Sequence, residues 1–112
     1  MGRDPRLTSG FWITAYMARL RLNDIPHFLR KRGDKTAGAI LVLVNTLDGN
    51  AKLYQRGMAF DGPRGWGVLA EGSERDVDEA MTRQITYDPD LWVVEVEHAD
   101  GRHLLDEPGL AD

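Results

Sequence analysis

Cysteine is absent from this 112-residue chain, and with it go disulfides, thiolate nucleophiles and cysteine-ligated zinc or iron–sulfur sites. Long apolar runs are missing too. The longest, residues 37–44, is well under the roughly 20 residues that a membrane helix requires. The opening Met1-Gly2-Arg3-Asp4-Pro5-Arg6 has no signal-peptide apolar region, and Arg6 stands where a myristoylation motif needs Ser or Thr. No GxGxxG, Walker, GxSxG or HExxH pattern occurs, so the usual sequence marks of dinucleotide, phosphate, acyl-transfer and zinc-hydrolase chemistry are lacking. These absences predict a cytoplasmic setting, no membrane association, no cofactor and no bound metal.

What is present is ordinary for a globular protein: 42% apolar and 29% charged residues over a length that suits a single domain, 1–112. The net charge of −4 is divided unevenly. Residues 1–35 hold eight basic against three acidic side chains, net +5, and the remainder six against fifteen, net −9. Such asymmetry fits either an anionic partner for the basic part or two surfaces that neutralise each other within the fold or across a dimer. Arg30-Lys31-Arg32 is too short for a nucleic-acid tract, and an acidic chain works against binding a polyanion.

Helical spacing of Phe11, Trp12, Ala15, Tyr16 and Leu20 after Thr8-Ser9 predicts a first helix, stopped at Asn23-Asp24-Ile25-Pro26 because proline disfavours helical geometry in the residue before it. A short strand is expected over 27–32. The run 36–46, rich in β-branched residues and without a polar face, predicts the central strand. Asp48-Gly49 signals a hairpin, so 51–58 is expected to return antiparallel as a strand near an edge. A loop at 60–65 leads to a short strand at 66–69. Ser73-x-x-Asp76 resembles a capping box opening a second helix with Val77, Ala80, Met81, Gln84 and Ile85 inward, which Asp88-Pro89 ends.

Beyond it, alternation puts Trp92, Val94 and Val96 on one face and Leu91, Val93, Glu95 and Glu97 on the other, the acidic face being expected toward solvent. Ala99-Asp100-Gly101 predicts a tight turn into a return strand over 102–108. A two-residue turn sets His98 opposite His103, and a three-residue turn sets Glu97 there. An internal echo relates Met17-x-Arg19…Asp24…Phe28…Ile40-Leu41 to Met81-x-Arg83…Asp88…Trp92…Leu104-Leu105 at constant offset. It suggests two αββ units flanking a central hairpin, with the basic strand (Arg30, Arg32) beside the acidic one (Glu95, Glu97).

Chemistry-bearing residues concentrate in 88–107. Two histidines with a carboxylate form a minimal shell for zinc, yet hairpin-tip histidines without metal spacing are ordinarily solvated. Pro89-Asp90 with Glu95-Val96-Glu97 superficially matches a metal-nuclease signature, but Glu97 stands where that chemistry needs lysine. Gly33-Asp34-Lys35-Thr36-Ala37-Gly38 joins strand to strand and lacks the helix N-terminus that phosphate loops use. Trp12, Trp66 and Trp92 fall at apolar spacing and read as core.

Ser9-x-Phe11-Trp12-Ile13-x-Ala15, Arg32-Gly33 with Ala37-Gly38-Ala39-Ile40, Leu53-Tyr54, and above all Asp88-Pro89-Asp90-Leu91-Trp92-Val93-Val94-Glu95 resemble the small alphaproteobacterial proteins of domain-of-unknown-function family 1491. That resemblance implies a bacterial cytoplasmic domain and carries no activity, ligand or catalytic residue. In that family's first helix the paired arginines are expected to be adjacent; here Arg19 and Arg21 are separated. The expected fold is α+β, a mainly antiparallel sheet with two helices on one face. The expected role is a non-catalytic interaction or small-ligand module, with an unidentified protein, a small molecule or a second copy of the chain as partner. The alternative is an enzyme or nucleic-acid binder with a site between the basic strand, 30–32, and the acidic hairpin, 88–107. The candidate surface comprises Arg19, Arg30, Arg32, Asp88, Asp90, Glu95 and His103.

Overall fold

The structure, a computed structural model, describes residues 8–56 and 65–110. The loop expected at 60–65 lies, apart from Gly65, outside the described residues, as do the last two positions of the strand expected over 51–58. Elements follow in the order α1 (Ser9–Leu22), β1 (His27–Lys31), β2 (Ile40–Asn45), β3 (Asn50–Arg56), β4 (Trp66–Ser73), α2 (Glu74–Tyr87) and β5 (Trp92–Glu97). The strands form one sheet ordered β1-β5-β2-β3-β4. All neighbours pair antiparallel except β2 and β5, which run parallel. The class is α+β with a mainly antiparallel sheet, as the sequence pattern predicts.

Local signals explain most element ends. The Thr8 hydroxyl accepts from the Phe11 amide at 3.3 Å to open α1, and Asp24, in the left-handed region at φ 57°, turns the chain out of it. The Ser73 hydroxyl accepts from the Asp76 amide at 3.1 Å, the expected cap of α2. The β2–β3 hairpin forms where Asp48-Gly49 announces it. Its turn takes positive φ at Leu47 and Gly49, not at Asp48.

The placement of the helices differs from expectation. Ile40, Val42 and Val44 of β2 and Trp92, Val94 and Val96 of β5 pack with Trp12, Ile13, Tyr16 and Leu20 of α1. Leu41, Leu43, Leu91 and Val93 face the other way, against Val77 and Met81 of α2. The helices therefore cover opposite faces of the sheet. An apolar strand without a polar side must be covered twice, and two amphipathic helices do that only from both faces.

The return strand expected over 102–108 does not form. Antiparallel β1 and parallel β2 already occupy both edges of β5, so no ladder remains for a hairpin partner. Residues 101–110 instead cross the α1 face as an irregular strap. Leu104 sits at φ 64°, a bend that lets Leu104 and Leu105, each 2% exposed, both point into the core beside Leu110. Each buried leucine contributes roughly 1.5–3 kcal/mol. The echo consequently is not two αββ units, since its second copy is helix, strand and strap. The strands that follow the two helices do pair, as β1 with β5.

The base of the sheet is held by backbone. The loop 33–39 lies against the start of β5: the Asp34 amide donates to Asp90 O at 2.8 Å, the Trp92 amide to Ala39 O at 2.8 Å, and the Trp92 indole N–H to Asp34 O at 2.7 Å. From α1, the Ser9 hydroxyl donates to Gly38 O, and the Ser9 and Gly10 amides donate to Thr36 O and Lys35 O. Contact this close excludes side chains. A Cβ on Gly33 would stand 2.2 Å from Asp90 O, and one on Gly38 2.3 Å from the same atom. Gly33→Ala and Gly38→Ala should each destabilise the protein by about 1–3 kcal/mol or more, because backbone and not a yielding side chain must move. Urea unfolding checks this; Gly49→Ala, with open space around it but φ 91°, is the comparison for strain without a clash.

Candidate functional site

A cleft of about 270 Å³ opens on the α2 face, lined by Arg30, Leu43, Asn45, Ala51, Glu74, Arg75, Asp78 and Glu95. Strand ends and the first turns of α2 build it. Leu43 and Ala51 form apolar floor within the α2-side core. Glu74 and Asp78, four residues apart, share one helix face. The Glu74 amide donates to Gly49 O at 2.9 Å, and the Asn45 side-chain amide donates to Glu74 Oε1 at 3.2 Å, so the helix start is tied to the β2–β3 turn.

Arg30 occupies the irregularity where the β1–β5 register shifts between Leu29 and Lys31. The shift aims its side chain across β5. Its guanidinium donates to Glu95 Oε1 at 2.5 Å and stands 3.5 Å from Asp78 Oδ1. The hydrogen bond to Glu95, followed by the field of Glu95 and Asp78, raises the Arg30 pKa against the opposing effect of burial, so this group is a fixed cation. Glu95 is only 8% exposed, which corrects the expectation that the acidic face of this strand meets solvent. The pairing of the basic with the acidic strand is as the charge pattern suggests.

The other candidates lie elsewhere. Arg19 binds the strap, through Glu107 Oε1 at 3.1 Å and Pro108 O at 2.7 Å. The Arg32 guanidinium lies 5.8 Å from the centre of the Trp92 ring. Asp88 accepts from the Asp90 amide at 3.1 Å, a turn contact at the end of α2. The Asp90 carbonyl, not its carboxylate, is what the Asp34 amide meets. His103 packs edge-on against Tyr54, ring centres 4.8 Å apart, its Nδ1 accepts from the Leu105 amide, and its carbonyl accepts from the Tyr16 hydroxyl at 2.8 Å. Burial, aided by Lys52 and opposed by Asp106, lowers the His103 pKa. His98 does not face it: its Nδ1 accepts from the amides of Asp100 and Arg102 and closes the turn. Among the described residues no three His, Asp or Glu side chains gather closely enough to hold a metal ion, and no described helix is long and apolar enough to cross a membrane.

Of the seven candidates, then, only Arg30 and Glu95 meet side chain to side chain among the described residues, Asp88 and Asp90 touching through a turn amide. Sequence reasoning missed Asn45, Glu74, Arg75 and Asp78, whose acids read as ordinary dipole-favouring charges at a helix start; the four-residue spacing of Glu74 and Asp78 was the available signal. Arg30→Met should cost about 1–3 kcal/mol in urea unfolding, since it leaves the Glu95 carboxylate buried without its cation. Asp78→Asn, at the more exposed end, should cost under about 1 kcal/mol. Equal midpoints for Arg30→Met and the parent chain would show that the pair holds nothing.

Comparison with known proteins agrees with this architecture. A DUF1491 family protein from Caulobacter crescentus CB15, seen in a crystal structure, is 37% identical, with a TM-score of 0.82 over 92% of this chain and 98% of its own. The NMR structure of a DUF1491 family protein from the same organism gives 36% identity and a TM-score of 0.80 over 94% and 97%. A protein from A. tumefaciens, in a solution structure, is 26% identical with a TM-score of 0.71 over 83% and 86%. No curated protein matches the chain. The family model described as "Protein of unknown function (DUF1491)" matches residues 7–106, and the chain belongs to that family.

Proposed function

We propose that this protein is a non-catalytic binding module whose site is the cleft beneath the first turns of α2, and that it takes a small polar ligand bearing charges of both signs. The carrying observation is the lining itself: Arg30, Arg75, Glu74, Asp78, Glu95 and Asn45 around an apolar floor of Leu43 and Ala51. Ligand sites combine such a floor with a few convergent polar groups. The volume, near the low end for such sites, suits a molecule the size of an amino acid.

The reading favours binding over catalysis because the charged groups hold one another. Arg30 is engaged by Glu95 and Asp78 and Glu74 by Asn45, so Glu74, Asp78 and Glu95, the groups in this lining able to carry a proton, are each already held by a neighbour. A ligand of both signs adds its ion pairs at the exposed rim, where Asp78 and Arg75 lie.

The test is an amide-resonance titration of the intact chain with a panel of small zwitterions, alkylammonium ions and carboxylates. Saturable shifts at Asn45, Ala51 and Asp78, strongest with zwitterions and weakened by Arg75→Ala, are expected. A panel that moves no cleft resonance, or moves only resonances remote from it, contradicts the proposal.

A further inference from the structure

The two edges of the sheet are built differently. β1 is five residues long, its register is broken at Arg30, and Lys31, folded back, donates from Nζ to the carbonyls of Arg32, Pro89 and Leu91. With Arg30 and Arg32 beside it, that strand ends in three successive cations, each held by its own chain. Short, charged, irregular edges are how proteins discourage further strand pairing.

The opposite edge shares only the irregularity, a register shift against Leu53 and Tyr54. β4 spans eight residues, Trp-Gly-Val-Leu-Ala-Glu-Gly-Ser, with Glu71 its one charge. Added Cβ atoms at Gly67 and Gly72 would meet nothing within 4 Å, and Val68 is 47% exposed. Among the described residues nothing pairs with its outer side.

We infer that β4 is an interface for a second copy of this chain, paired antiparallel about a two-fold axis into a continuous ten-stranded sheet. The strand is nearly palindromic in the property that matters. A two-fold between Leu69 and Ala70 sets Gly67 opposite Gly72 of the other copy and Val68 opposite its Glu71, so no like charges meet. Side-chain direction agrees: Val68 pairs with Tyr54 and Glu71 with Lys52 on β3, positions two apart and hence on one face of the sheet. The register shift between Leu53 and Tyr54 leaves Leu69 and Ala70 both packed toward α2, beside the axis. The same operation on β1 would meet a strand of only five residues with a broken register. A two-fold contact also closes on itself, whereas pairing β1 with β4 would propagate into a filament.

Light scattering coupled to size exclusion, across a concentration series of the full chain, tests this. The expected mass is twice 12.6 kDa, falling toward the monomer on dilution. Val68→Glu places a carboxylate opposite Glu71 twice per dimer and should weaken association about tenfold. Val68→Lys, the same exposed position with the opposite sign, should leave association unchanged or tighter. Circular dichroism confirms that both variants fold. A parent chain that stays monomeric at the highest concentration overturns the inference, and so does an equal response to the two variants.

Discussion

The structure depends on one backbone contact, the seating of the loop 33–39 against the first residues of β5. Parallel strands cannot be joined by a tight turn, so the β2–β5 pair has to be registered by something other than a hairpin. The carbonyls of Asp34, Ala39 and Asp90 and the amide and indole N–H groups they meet do that. Gly33 and Gly38 permit it because any side chain there would collide with Asp90 O. The same loop receives Ser9 and Gly10, the first turn of α1. Three segments distant in sequence are thereby fixed at one point, and these are the segments in which the family resemblance is concentrated.

The cleft follows from that registration. With β5 inserted between β1 and β2, Glu95 lies inside the sheet, and the irregularity at Arg30 turns a guanidinium onto it. α2, capped by Ser73 and tied to the β2–β3 turn, sets Glu74 and Asp78 above the same spot. The other charged residues of the 88–107 region are used differently: Glu107 anchors the strap to Arg19, while Asp88 shapes the chain between α2 and β5. Of the carboxylates there, Asp88 and Glu107 are architectural and Glu95 lies in the cleft.

Legibility in the sequence tracks locality. The Ser73 cap, the stop at Pro26, the hairpin near Asp48-Gly49 and the inward alternation of Trp92, Val94 and Val96 are written in neighbouring residues, and the Arg30–Glu95 pair is legible as charge asymmetry. The faces of the helices were legible in principle, since residues 40–44 have no polar side, yet an apolar strand does not say which helix covers which face. The return strand failed for a non-local reason: the turn at Asp100-Gly101 is real, but whether a strand can follow depends on edges already filled by β1 and β2. The cleft residues on α2 were obscured because acids at a helix start have a sufficient local explanation.

Native-state hydrogen exchange examines the central constraint most directly. The Asp34 and Trp92 amides and the Trp92 indole N–H should exchange only through global unfolding, with the same free energy as Val42 and Val94 in the two core strands. Exchange of those three protons through a low-energy local opening, while Val42 and Val94 remain protected, would contradict the account, because the sheet would then keep its parallel register without the contact said to set it.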